Sequence, residues 1–226
     1  MGNVDVMNDK NNKVMIKINK ELIIYTLIGI AISLALINQV LLLNYNQDIT
    51  GSAIVGGGYS QSNSVIPNGI PSIYGQELGI SFDDVSPNSP TKADETIRKL
   101  AFYDRDITLS GEDLERYISI ASQISCEYCC GAPSIISSDG SAACGCAHSY
   151  AMRGLAKYLI KNHPEMSDDQ ILEELGKWKT LFFPTQMTAK AKVLTEKGIR
   201  LNYINLASNN YRGIEAGTDG GMVGGC

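Results

Sequence analysis

Between Leu22 and Ile37 the chain carries sixteen consecutive residues without a charge (LIIYTLIGIAISLALI). After Asn38-Gln39 the run resumes as Val40-Leu41-Leu42-Leu43. At 1.5 Å per residue a helix from Leu22 to Leu43 is about 33 Å long, enough for a hydrocarbon core of about 30 Å. A buried soluble helix of this length is rarely apolar all round. The pattern predicts a single transmembrane helix over residues 21–44, with the lipid bilayer as its partner through Leu22–Leu43.

Lysine asymmetry orients it. Lys10, Lys13, Lys17 and Lys20 precede the segment, and no Lys or Arg occurs from Asn44 to Thr91. The positive-inside rule then leaves residues 1–20 as a cytoplasmic tail, expected to be disordered, and puts everything after about Asn44 outside the cytoplasm. The apolar core is longer than that of a cleaved signal peptide, and no cysteine follows it to carry a lipid, so the segment reads as an uncleaved signal anchor of a single-pass cell-membrane protein. Residues 45–72 are rich in Gly, Ser, Asn and Gln and read as a flexible linker.

From about Ile73 the apolar positions recur at helical spacing. Ala93–Tyr103 puts Ile97, Leu100 and Ala101 on one face, with Asp94 and Glu95 in the first turn, where the helix dipole favours acids. Ser110 is the expected N-cap of a helix with Leu114, Tyr117, Ile118, Ile120 and Ala121 inward. Another begins at Ser149, carries Met152, Leu155, Ala156, Leu159 and Ile160, and ends at His163-Pro164. Ser167-Asp-Asp-Gln170 is a capping box opening a helix with Ile171, Leu172, Leu175, Trp178 and Leu181 inward, stopped at Pro184. Thr185 is expected to cap a last helix, closed by Gly198 near Lys197. Residues 199–206 alternate and predict a strand. Asp139-Gly140 between short apolar runs predicts a β-hairpin. The fold class expected is thus mainly α with a short β-hairpin: a small helical domain over 73–210, followed by a mobile, Gly-rich tail over 211–226.

The candidate chemistry is concentrated in 23 residues. Five of the six cysteines and one of the two histidines lie in Cys126-Glu-Tyr-Cys129-Cys130 and Cys144-Gly-Cys146-Ala-His148. Thiolates and imidazole are ligands for soft or borderline metals. A Cys-x-x-Cys turn aims two sulfurs at one point, and ligands at a helix mouth gain from its positive end. Cys126, Cys129 and Cys144 with either Cys146 or His148 would close a tetrahedral zinc site. The adjacent Cys129-Cys130 and the Cys-x-Cys spacing equally suit Cu(I) bound by thiolates. Two other readings stand beside the metal: structural disulfides from Cys126, Cys129 or Cys130 to Cys144 or Cys146, usual outside the cytoplasm, and a redox-active dithiol at Cys126/Cys129 or Cys144/Cys146. Covalent haem needs Cys-x-x-Cys-His, whereas here Cys130 follows Cys129. The terminal Cys226, behind Gly224-Gly225, reads as incidental or as a swinging ligand, resolving thiol or intermolecular bridge.

A knuckle, a hairpin and ligands at a helix start resemble a treble-clef zinc site over residues 126–160, although the second pair is Cys-x-Cys. Ala143-Cys144-Gly145-Cys146-Ala147-His148 is also similar to the exported proteins named for a PCYCGC motif, without the preceding Pro-Cys. That resemblance implies a metal or thiol role outside the membrane.

A net charge of −5 without a dense Lys/Arg stripe argues against nucleic acid. No nucleophile elbow, phosphate loop, dinucleotide fingerprint or zinc-protease motif occurs, so no catalytic residue is assigned. The paired acids at 83–84, 112–113, 168–169 and 173–174 read as helix-start and surface residues, and Trp178 with Phe182-Phe183 as core. The expectation is a membrane-anchored, extracytoplasmic metal-binding protein for zinc or copper, with a structural, sequestration or relay role. The alternatives are a thiol–disulfide oxidoreductase, or a stapled interaction or assembly module that binds a protein partner or itself.

Overall fold

The computed structural model describes residues 64–225, together with 6–8, 14–16, 24–25 and 29–30. The chain divides into two units, Met1–Gln61 and Ser62–Cys226. In the first, β1 (Val6–Asn8) and β2 (Val14–Ile16) pair antiparallel, with Val6 opposite Ile16 and Asn8 opposite Val14. A disordered tail is expected there. Instead the described residues of this segment form a pair of short strands. Ile24, Tyr25 and Ile30 are helical and exposed. Apart from these and Gly29, the expected Leu22–Leu43 span lies outside the described residues, among which no helix is long and apolar enough to cross a membrane.

Among its described residues the second unit has seven α-helices: α1 (Gly75–Leu78), α2 (Pro90–Asp106), α3 (Gly111–Ala121), α4 (Ala147–Asn162), α5 (Asp168–Phe182), α6 (Pro184–Glu196) and α7 (Tyr203–Ala207). Its packing reaches back before Ile73. Pro67 and Pro71 are buried, so residues 64–72 belong to the folded unit and not to the expected linker. The inward positions read for α4 and α5 are buried as expected, and Ser167 and Gln170 form the capping box. Pro90 occupies the first turn of α2, which starts the helix earlier than Ala93 and moves Asp94 and Glu95 out of the dipole's reach. Pro184 likewise opens α6 rather than merely stopping α5, and Phe183, not Thr185, is its N-cap.

The helix pair α2/α4 is the tightest joint. Gly154 of α4 lies where a Cβ would sit 2.0 Å from the Leu100 carbonyl oxygen. Beside it Arg153 and Lys157 both reach the Asp104 carboxylate, at 2.8 Å each. The core continues to Trp178, whose indole N–H donates to the Tyr74 hydroxyl at 2.7 Å. That hydroxyl in turn donates to Glu174 at 2.7 Å.

Three sequence expectations are corrected here. No β-hairpin forms between the cysteine groups. The turn at Asp139-Gly140 is present, with Gly140 at φ +84°, but it is closed by a single bridge between Ile136 and Ala142. Ile135 and Ile136 are both buried, so the segment lacks the in–out alternation of a half-buried hairpin strand. Residues 199–206 do not form a strand. Asn202 accepts from the Asn205 amide and opens α7 instead. The third correction concerns the Gly-rich tail, which is packed against the helices. Val223 is 4% exposed and its N–H donates to the Phe182 carbonyl at 2.9 Å; Gly225 N–H donates to Asp94 at 2.8 Å; the Gln186 amide donates to the Gly220 carbonyl at 2.7 Å. Glycines allow this backbone to lie directly on helix side chains. A Cβ at Gly220 would be 2.7 Å from Thr185.

Candidate metal centre

Chain geometry brings all six predicted ligands together. Cys126 follows α3 and is fully buried, and the Cys129 N–H turns back to the Cys126 carbonyl at 3.3 Å, forming the knuckle. After the Asp139-Gly140 turn the chain returns through Cys144 to Cys146, the N-cap of α4, whose sulfur accepts from the Ser149 amide at 3.3 Å. His148 sits in the first turn of that helix. Cys126 and Cys146 sulfurs are 3.2 Å apart. Cys130 and Cys144 are joined in a disulfide, one of the bridges the spacing allows, while Cys126, Cys129 and Cys146 are thiols.

Two four-donor groups have every ligand atom within 4.8 Å of the others: Cys126, Cys130, Cys144 and Cys146; and Cys126, Cys129, Cys146 and His148. Tetrahedral ligands at about 2.3 Å from zinc lie roughly 3.8 Å apart, so the cluster can hold a metal ion. Its groupings differ from the set that spacing favours, because Cys144 falls with Cys130 and not with Cys129.

His148 carries the most specific geometry. The ring is fully buried between Phe182 and Phe183, with centroids 4.8 and 5.0 Å away. Its Nε2 is 3.1 Å from the Val223 carbonyl. A carbonyl only accepts, so Nε2 bears the hydrogen. Nδ1 is buried with no hydrogen-bond partner. A buried ring nitrogen without a partner costs free energy that a bound metal would recover. Fixing one ring nitrogen on a backbone carbonyl is the usual way a metal-ligating histidine is held.

Electrostatics polarise the two shared thiols. The hydrogen bond between Cys126 and Cys146 holds the Cys146 sulfur far below the ordinary thiol range, at about 3, with the Ser149 amide adding to the effect. Cys126 is pushed up in turn, by that same contact first and by burial second. Beside them, Glu127 accepts from two fully buried ammonium groups, Lys179 at 2.9 Å and Lys190 at 3.0 Å. Burial raises the Glu127 carboxyl, but the two lysines outweigh it and hold it below 4.5. Burial brings Lys179 down to about 8, against the pull of Glu127. Arg153 ties the returning strand of chain in place, donating to the Cys144 carbonyl at 2.8 Å and the Ile135 carbonyl at 3.2 Å.

Glu127, Arg153, Lys179, Lys190 and the tail carbonyl of Val223 were not singled out from the sequence. A signal for the lysines exists. Lys179 lies four residues after Leu175 and seven after Leu172, and Lys190 lies three after Met187 and four before Leu194, so both sit on apolar stripes. A charge in that register predicts a buried partner. Cys226 lies outside the described residues. No protein-family model, curated protein or solved structure matches the chain.

Proposed function

We propose that this chain is a metal-binding protein that holds one thiophilic ion, zinc or copper, through Cys126, Cys129, Cys146 and His148. The observation that carries the reading is the His148 ring, with Nε2 committed to the Val223 carbonyl and Nδ1 buried without a partner in a group of three thiols. These four donors are complete with the Cys130–Cys144 bond intact. Three sulfurs and one imidazole are a donor set of closed structural zinc sites and also one that Cu(I) accepts. The likeness to treble-clef sites keeps only the knuckle and the helix start, without the hairpin. The likeness of Ala143–His148 to PCYCGC-motif proteins agrees with this reading. So does placement of the domain outside the cytoplasm by the Leu22–Leu43 anchor, for which the lysine asymmetry and the exposed helical Ile24, Tyr25 and Ile30 speak. The role is to staple the domain or to sequester or relay the ion.

The test is elemental analysis of the full chain, purified in detergent without air. About one zinc or copper per chain, lost in His148→Ala, supports the reading. A metal-free protein that takes up neither ion on dialysis overturns it.

A thiol–disulfide oxidoreductase is the second reading, favoured by the exposed Cys130 end of a disulfide set beside the Cys126 and Cys146 thiols. It requires turnover of a dithiol substrate by metal-free protein, which the metal reading does not.

A further inference from the structure

Six donors exceed what one tetrahedral ion can use. The two donor groups overlap in Cys126 and Cys146 only, and each keeps an outer pair of its own: Cys129 and His148 on one side, Cys130 and Cys144 on the other. Such an overlap is the ligand arrangement of a two-ion centre with a pair of bridging sulfurs. With metal–sulfur bonds of about 2.3 Å, two sulfurs 3.2 Å apart would bridge ions roughly 3.3 Å from each other. A disulfide sulfur bears no thiolate charge and is a poor ligand, so the second outer pair is closed while Cys130 and Cys144 are bonded.

Resting on the metal reading above, we infer that the cluster has a redox-gated second site: reduction of Cys130–Cys144 opens it to a second thiophilic cation, with Cys126 and Cys146 bridging the two ions. The gate is reachable from one side. Cys130 is exposed, while Cys144 is 5% exposed. One thiolate of a dithiol reductant attacks the Cys130 sulfur, and Cys144 departs as a thiolate. The reductant's second thiolate then attacks its own sulfur in the mixed disulfide and frees Cys130. Two electrons pass from the dithiol to the protein and the reductant ends as a disulfide. Each freed protein thiol loses its proton to solvent as it binds the cation.

The full chain in detergent is dialysed against Zn2+ under argon, once as prepared and once after dithiothreitol treatment and desalting, and bound zinc is counted with free thiols. The expected result is one zinc per chain with the bond intact and two after reduction, with Cys130→Ser holding one under both conditions. One zinc in the wild type before and after complete reduction overturns the gate and leaves the first site standing. Two zinc ions with the bond intact, or two in Cys130→Ser, overturn it as well. No zinc in either state sinks both readings. The wild-type comparison requires no variant to fold, and circular dichroism of Cys130→Ser guards the other arm.

Discussion

His148 Nε2 donates to the Val223 carbonyl at 3.1 Å, so a residue three from the chain end sets the orientation of a ring buried in the metal centre. Gly225 completes the contact. It has φ +81°, and a Cβ there would lie 3.0 Å from the same Nε2. Gly225→Ala therefore strains the backbone and pushes on the ring. Loss of an outer-shell hydrogen bond to a metal-ligating histidine costs about 10–100-fold in metal affinity. Zinc affinity measured by chelator competition should fall by about 10-fold or more, with secondary structure unchanged. An unaltered affinity would separate the tail from the site.

Glu127 links the centre to pH. Its folded pKa is lower than its ordinary value of 4.5, so its contribution to stability is complete above about pH 4.5 and is lost as pH falls through the folded value. Glu127→Gln removes the counter-charge of two buried lysines and should cost about 3–5 kcal/mol near neutrality. Urea unfolding at stepped pH checks both parts. The variant starts less stable, and its decline below pH 4.5 is shallower than that of the wild type. Parallel acid limbs would show that Glu127 does not gain its charge-pair energy from folding.

The helical frame was legible because its signals are local. A capping box at Ser167, apolar stripes on α4 and α5 and the glycine at 198 each act within a turn or two, and each stands where the pattern puts it. The cluster of six donors was legible from spacing alone. What failed depended on partners distant in sequence. The tail reads as mobile by composition, yet its glycines are what let it lie against α2, α4 and α6. Alternation at 199–206 suits a strand only if a sheet edge awaits it, and the described part of this unit has none. The division of donors into two overlapping groups, and the bond between Cys130 and Cys144, follow from how α3 and α4 are brought together, about which ligand spacing says nothing.

Gly154→Ala tests the joint that holds α4 against α2. In an isolated helix the change would stabilise by roughly 1 kcal/mol. Here the new methyl would lie 2.0 Å from a backbone oxygen, which cannot rotate away, so the helices must separate. The expected outcome is a net loss of about 2–3 kcal/mol in chemical denaturation. Gly221→Ala, with nothing within 4 Å of the added carbon, should stay within about 0.5 kcal/mol of the wild type.

Cys126 and Cys130 should fail in different ways. Cys126 is fully buried and belongs to both donor groups, so Cys126→Ser removes a ligand from each and should abolish stoichiometric zinc binding. Cys130 belongs to one group and is tied to Cys144, 14 residues along the chain. Cys130→Ser should retain one zinc, but it frees a loop whose closure is worth about 3 kcal/mol in the chain-entropy account. Its melting temperature in air should therefore drop below that of the wild type in air, while its metal content holds. Zinc content and thermal melting of the two variants, measured side by side, separate these roles. If Cys126→Ser binds zinc as the wild type does, the shared sulfur is not a ligand, and the assignment of both donor groups fails.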